Sequence, residues 1–277
     1  MTFFPHAAES VLLITLDSCR YDTFADANAP NLKAVGPLIR AMSPSHFTFG
    51  SHASIFAGFT PCVADGSSVP YANPKFARIF KLRALAAGRQ KPFVELEGRN
   101  IIDGFRRRGF LTLGSGAVGW FDPGLPASAA LIADFDRFFY KGHTHGCVPD
   151  QVAWLLDGIA AADRPVFAFL NVGETHVPYF HEGAPWDSAY NPCVPFRGDV
   201  NDAAECRFRQ RRCLEFVDAE VAPLLALFES AAVIVCADHG DCWGEDGLWE
   251  HGIPHEKAFQ VPLLFRLPAA QGGSAIS

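Results

Sequence analysis

The chain has 277 residues, 49% hydrophobic and 19% charged, enough to enclose one large core and too few for two independent ones. A net charge of -7 offers no basic footprint for nucleic acid. No apolar run approaches the ~18 residues of a membrane span, and eight cysteines without a CxxC pair suit reduced thiols better than a disulfide framework.

Residues 1–10 carry neither a basic nor an apolar leader region, so a cytoplasmic location without a membrane partner is expected. Residues 11–16 form an apolar run of strand length that ends at Asp17, followed by Arg20 and Asp22, which read as a structural ion pair or helix cap. Pro30 opens a short helix. Next comes Thr48-Phe-Gly-Ser-His-Ala-Ser-Ile-Phe-Ala-Gly58, read as a helix from about Ser51 that Gly58 stops, with Thr48 just upstream of its N-terminus. Free N–H groups and the helix dipole favour an anion there.

Residues 62–95 read as an irregular insertion with a helix near residues 76–87. A helix at 101–108, a stop at Gly109 and a strand at 110–113 follow. His143 and His145 lie two apart in a loop with no third ligand in view, and read as plain loop. Residues 149–162 are an amphipathic helix, 166–170 a buried strand leading to Glu174 and His176, and 203–230 one long helix or two. The arginines at 106–108 and 207–212 read as solvated helix faces, and Cys206 and Cys213, two helical turns apart, as packing residues. Residues 233–237 are another apolar run, broken by Asp238-His239-Gly240. Adjacent Asp and His side chains would diverge along a strand, but glycine permits a turn that lets both converge. A last apolar run spans 261–267. Strands alternating with helices predict an α/β fold: one doubly wound, mostly parallel sheet with helices on both faces, residues 1–277 forming a single catalytic domain.

Three strand ends and one helix start thus send Asp17, Asp238, His239, His176 and Thr48 to one crevice, the place where open α/β sheets bind ligands. Asp17, Asp238 and His239, with the Thr48 hydroxyl as fourth ligand, suit one divalent ion, Zn²⁺ or Mn²⁺ before Mg²⁺ or Ca²⁺. Such an ion would favour the Thr48 alkoxide and turn a weak alcohol into a nucleophile.

The chain resembles the alkaline phosphatase superfamily on its sulfatase-like and phosphodiesterase side. The resemblance rests on Asp17-Ser-Cys-Arg-Tyr-Asp22, Ala29-Pro-Asn-Leu32, the Thr48 to Gly58 segment, His176-Val-Pro-Tyr179, Asp238-His-Gly-Asp241, Gly244-Glu-Asp-Gly247, His251-Gly252 and Val261-Pro-Leu-Leu264, in that order. It implies a divalent metal and a covalent intermediate on the nucleophile. Sulfatases place a formylglycine-forming Cys where this chain has Thr48. Met42-Ser-Pro-Ser-His46 imitates their Cys-x-Pro-Ser-Arg segment but lies too far from Gly58. Gly50 stands for the usual proline and His52 for the usual arginine. A second metal would need Asp-x-x-x-His, and the residue four before His176 is Val172. The spacing from Asp238 to His251 resembles the catalytic domain of phosphoethanolamine transferases, which use a metal-bound threonine but carry membrane anchors and disulfides not seen here. The usual C-terminal subdomain has no counterpart, which leaves the insertion and a loop at about 180–203 to shape the substrate pocket.

The expected function is hydrolysis of phosphate or phosphonate esters of small molecules through phospho-Thr48, with His176 and His251 contacting the transferred group or acting as general acid. A phosphotransferase, a sulfatase-like hydrolase and an inactive metal-binding homologue remain as alternatives. Packing roles stand beside the functional ones for His176, His251, His255 and Glu174.

Overall fold

The sheet is organised by strands that alternate their apolar residues between two faces. A computed structural model describes residues 4–58, 80–84, 92–96, 99–142 and 147–268. In chain order its strands are β1 (Val11–Leu16), β2 (Ile39–Met42), β3 (Phe80–Ala84), β4 (Pro92–Leu96), β5 (Leu111–Ser115), β6 (Arg137–Phe139), β7 (Val166–Val172), β8 (Ala232–Ala237), β9 (Cys242–Trp243), β10 (Trp249–Glu250) and β11 (Gln260–Arg266). The helices are α1 (Tyr21–Asp26), α2 (Pro30–Lys33), α3 (Thr48–Ala57), α4 (Ile101–Arg107), α5 (Ala129–Ile132), α6 (Val148–Ala160), α7 (Ala203–Leu227) and α8 (Glu256–Phe259). Among the described residues no helix is long and apolar enough to cross a membrane.

The main sheet has seven strands in the order β2-β11-β8-β1-β7-β5-β6. β8, β1, β7, β5 and β6 run parallel, and β11 lies antiparallel between β8 and β2. Leu12, Ile14 and Leu16 of β1 turn to the face covered by α6 and α7, where Leu155, Ile159, Leu214, Val217 and Val221 pack. Leu13 turns to the opposite face, with Phe167 and Phe169 of β7, Phe49 and Phe56 of α3 and Ile102 of α4. The sheet is therefore covered on both sides, the doubly wound α/β arrangement.

Register places the functional ends side by side. Leu16 pairs with Val172 of β7 and Ala237 of β8, so Asp17, Gly173 and Asp238 leave the central strands at one level. Gln210 of α7 holds these ends together: its Nε2 donates to the carbonyls of Ser18 at 2.9 Å and Thr175 at 3.0 Å, and its Oε1 accepts from the Arg20 N–H.

Several expectations change. α3 begins at Thr48, three residues earlier than the small residues at 51–54 suggested, because Phe47 is extended and its carbonyl already accepts from the Ser51 N–H. Where a helix was expected near residues 76–87, β3 pairs antiparallel with β4; Phe80-Lys-Leu-Arg-Ala84 alternates apolar and basic residues, which is the period of a strand. Arg209 is not solvated but 3% exposed. It pairs with Glu205 at 2.6 Å, donates to the Tyr190 carbonyl and stacks near Trp186 and Tyr190, partners from another segment that compensate its burial. Cys206 and Cys213 are buried in a cluster with Val177, Tyr179, Cys193 and Trp243, as expected of packing residues, and none of the seven described cysteines forms a disulfide. Cys62, His143 and His145 lie outside the described residues.

Candidate active site

Asp17 follows β1, Asp238 and His239 follow β8, and Thr48 opens α3; all four side chains are at most 1% exposed. Ser18, at φ 59°, turns the chain sharply after Asp17, and its N–H donates to Asp238 Oδ1 at 3.2 Å, as does the His239 N–H at 2.9 Å. Gly240 carries the chain close past α8. A Cβ there would lie 2.3 Å from the Lys257 carbonyl oxygen, so only glycine lets the β8 end pack against α8.

The donor atoms converge. Thr48 Oγ1 lies 3.3 Å from His239 Nε2 and 3.5 Å from Asp17 Oδ2. His239 Nε2 is 3.6 Å from Asp17 Oδ1 and 3.5 Å from Asp238 Oδ2. His239 Nδ1–H donates to the Gly240 carbonyl at 3.1 Å, so in the neutral ring Nε2 carries the lone pair that faces the carboxylates. Burial, then the neighbouring Asp17, holds the Asp238 carboxyl well above its ordinary range, and burial pushes Asp17 up to about 6. Burial, then the nearby His251, keeps His239 neutral.

This set fits a divalent cation. Asp238 Oδ2 is buried without a hydrogen-bond partner, 3.5 Å from the lone pair of His239 Nε2, which is costly unless a cation shares it. Ligand atoms of Asp17, Asp238 and His239 all lie within 4.8 Å of one another. Two carboxylate oxygens and one imidazole nitrogen beside a hydroxyl are a donor set that a divalent metal ion accepts. Val172 is fully buried in the core, so the position four before His176 brings no ligand.

His52 occupies the place expected of an anion-binding arginine, but it is 0% exposed and lies behind Thr48. Its Nδ1–H donates to the Thr48 carbonyl at 2.8 Å and its Nε2 accepts from the Thr15 hydroxyl at 2.9 Å. Asn171 then donates to Thr15 Oγ1 and Asp17 Oδ2, both at 3.3 Å. Burial lowers His52 to about 4, so it is a neutral strut rather than an anion contact.

His176 and His251 lie on the open side. Their ring centroids are 5.0 Å apart, and His251 is 4.4 Å from His239. His176 Nδ1–H donates to the Val177 carbonyl at 2.8 Å. His251 Nδ1 lies 2.8 Å from Asp241 Oδ1. Burial works against its charge, but that hydrogen bond and the Asp241 charge outweigh it and raise His251 to about 8. The structure thus brings together Asp17, Thr48, His176, Asp238, His239 and His251. It leaves two candidates elsewhere: Glu174 accepts from the Val148 N–H at the start of α6, and His255 caps α8. Arg20 makes the expected ion pair with Asp22, at 2.6 Å, and also reaches Glu245 at 2.7 Å.

The sequence did not single out Asn171 or Asp241. Asn171 is a polar residue inside an otherwise apolar strand, and Asp241 a second carboxylate three residues after the first; each was a visible anomaly.

The sulfatase family's sequence pattern matches residues 11–274. The chain belongs to the sulfatase family. Proteins of this family are hydrolases or transferases, and the superfamily binds metal. No curated protein matches this sulfatase-family chain. Among solved structures it is similar to the C-terminal periplasmic domain of phosphoethanolamine transferase EptC from Campylobacter jejuni, at 12% identity and a TM-score of 0.64, over 93% of this chain and 78% of that one. The corresponding EcEptC domain from Escherichia coli, in complex with Zn, matches at 11% identity and 0.60, over 94% and 72%. The phosphonate monoester hydrolase SpPMH from Silicibacter pomeroyi matches at 17% identity and 0.59, over 94% and 68%. These likenesses establish the alkaline phosphatase-like fold.

Proposed function

We propose that the chain is a metal-dependent hydrolase of phosphate or phosphonate esters that works through a covalent phospho-Thr48 intermediate. The observation that carries this reading is the Thr48 hydroxyl, in the first turn of α3 and within 3.5 Å of both Asp17 and His239. A divalent cation held by Asp17, Asp238 and His239 would lower the proton affinity of that hydroxyl and offset charge on the transferred group. The positive end of the α3 dipole, at Thr48, favours the same developing charge.

Thr48 gives up its hydroxyl proton to solvent and its Oγ1 attacks phosphorus; the Thr48–O–P bond forms as the bond to the leaving oxygen breaks, and the same hydrogen is taken back from solvent when the ester is hydrolysed. His251 Nε2 gives the leaving oxygen its proton. Water then attacks phosphorus, gives a proton back to His251, and releases phosphate as Thr48 recovers its hydroxyl hydrogen. His176 contacts the equatorial oxygens beside it. Threonine suits phosphoryl rather than sulfuryl transfer, because a sulfate ester on Thr48 lacks the exit that a formylglycine hydrate has by collapsing to its aldehyde.

The neighbours supply a second reading, since EptC is named a phosphoethanolamine transferase and SpPMH a phosphonate monoester hydrolase. In the transferase an acceptor hydroxyl replaces water in the second step. The loop at 180–203 packs with Tyr179 and Trp243 beside the histidines and supports either pocket. Acid-quenched protein incubated with an aryl phosphate ester should gain one phosphoryl group on Thr48 by peptide mass spectrometry. Product analysis with an added alcohol separates hydrolysis from transfer, and loss of label from Thr48 to another residue would sink both.

A further inference from the structure

Asp241 is 0% exposed, yet both its oxygens are engaged. Oδ2 accepts from the Tyr179 hydroxyl at 2.7 Å, and Oδ1 lies 2.8 Å from His251 Nδ1. The Tyr179 oxygen accepts in turn from Trp243 Nε1–H at 2.8 Å. The direction of this chain is fixed, because an indole nitrogen only donates and an ionised carboxylate only accepts. Asp241 is the terminal acceptor, and His251 must bring it Nδ1–H. The ring, whose centroid is 4.4 Å from that of His239 and 5.0 Å from that of His176, then has Nε2 free to face away from Asp241.

Tyr179 is built for this contact at some cost. Its φ is 57°, a left-handed conformation that an aromatic residue seldom adopts, and its ring is fully buried. Trp186 Nε1–H, from the 180–203 loop, holds its carbonyl at 2.9 Å. Were the turn all that mattered, Gly or Asn would serve better there. A phenol is needed only for the hydroxyl that reaches Asp241.

We infer that Asp241 and Tyr179 are positioning residues for His251, locking its Nδ1–H so that Nε2 faces the leaving oxygen of the substrate. The inference rests on the hydrolase or transferase reading for the identity of that oxygen, and on geometry alone for the lock. His251 is 18% exposed at the site's open edge, so without Asp241 its ring would be free to turn or change tautomer.

The test uses full-length, Zn²⁺-loaded protein as wild type, Asp241→Asn, Tyr179→Phe, His251→Ala and the double variant Asp241→Asn/His251→Ala. With aryl phosphate esters of graded leaving groups, Asp241→Asn should lower kcat about 10²-fold for a poor leaving group such as phenol, and little for a nitrophenol that departs without a proton. KM should stay nearly constant. Tyr179→Phe, which keeps the ring's volume, should show the same trend at about 5-fold. Added to His251→Ala, the Asp241 change should have no further effect. Independently of turnover, ¹⁵N-histidine NMR recorded well above pH 8, where the ring is neutral, should show His251 as the Nδ1–H tautomer in wild type and a mixture in Asp241→Asn. Equal loss on all esters, a multiplicative double variant, or an unchanged His251 tautomer would overturn the inference. If wild type turns over no ester, the functional reading fails while the NMR result still decides the lock.

Discussion

The site has two poles of different construction. At one pole, which we propose holds the metal, Asp17, Asp238, His239 and Thr48 are fixed by strand register and the start of α3, and are shut off from solvent. At the histidine pole, His176 and His251 sit on turns, partly exposed, and owe their orientation to a backbone carbonyl and to Asp241. The difference teaches how much rigidity each task demands. Binding a cation among buried carboxylates requires donors fixed in advance, while a group that meets varied leaving oxygens works at an edge, oriented by one hydrogen bond.

Thr48→Ala tests the metal pole most severely. Turnover should fall by about 10⁴-fold or more, while metal content stays near that of wild type, because Asp17, Asp238 and His239 remain. Full activity in this variant, with Ser45→Ala inactive, would move the nucleophile to Ser45.

His251→Ala should cost about 10²- to 10³-fold on esters with poor leaving groups and leave metal content unchanged. If the metal is lost along with activity, as measured by elemental analysis, the two poles are one site and the distinction fails. Asp238→Asn is the opposite case: it should empty the metal site, and wild type should hold about one ion per chain. The metal-free variant should melt no lower than metal-free wild type, since it removes one of two mutually repelling buried carboxylates.

A pH series sharpens the same contrast. In the metal-free protein Asp17 titrates at about 6 instead of the ordinary 3.8. A carboxyl raised by folding stabilises the folded state below its ordinary value and loses that contribution as pH rises through the folded one. A cation binds the ionised form, so the gain in Tm on adding Zn²⁺ should be small near pH 4 and grow as pH passes through about 6. A gain that shrinks across that interval in calorimetry would show that these carboxylates are not the ligands.

The smallest effect is expected for Ser45→Ala. Its hydroxyl is buried without a partner, while its carbonyl accepts from Ser43 Oγ and Ser51 Oγ. Deleting an unsatisfied hydroxyl should change stability by less than about 0.5 kcal/mol and leave kcat alone; a large loss of kcat would bring this serine into the chemistry.

The amino-acid sequence by itself determined the α/β class, the doubly wound sheet and the buried acidic and imidazole side chains that meet at the ends of its central strands. Apolar runs of strand length declare where β1, β7 and β8 end, and the first polar residue after such a run must emerge at the carboxyl edge, so Asp17, Asp238 and His239 could be read directly. The tertiary structure decided the rest. Arg209 is buried by aromatic residues on another segment, α3 starts at Thr48 because Phe47 is extended, and His52 turns inward to the Thr48 carbonyl. Tyr179 meets Asp241 across 62 residues of chain, and Asn171 reaches Asp17 across 154. Hydrophobic periodicity is a local property that every turn of helix or pair of strand residues repeats. A hydrogen bond between two side chains on different turns leaves no period, and its partners are set only when the whole sheet has brought those turns together.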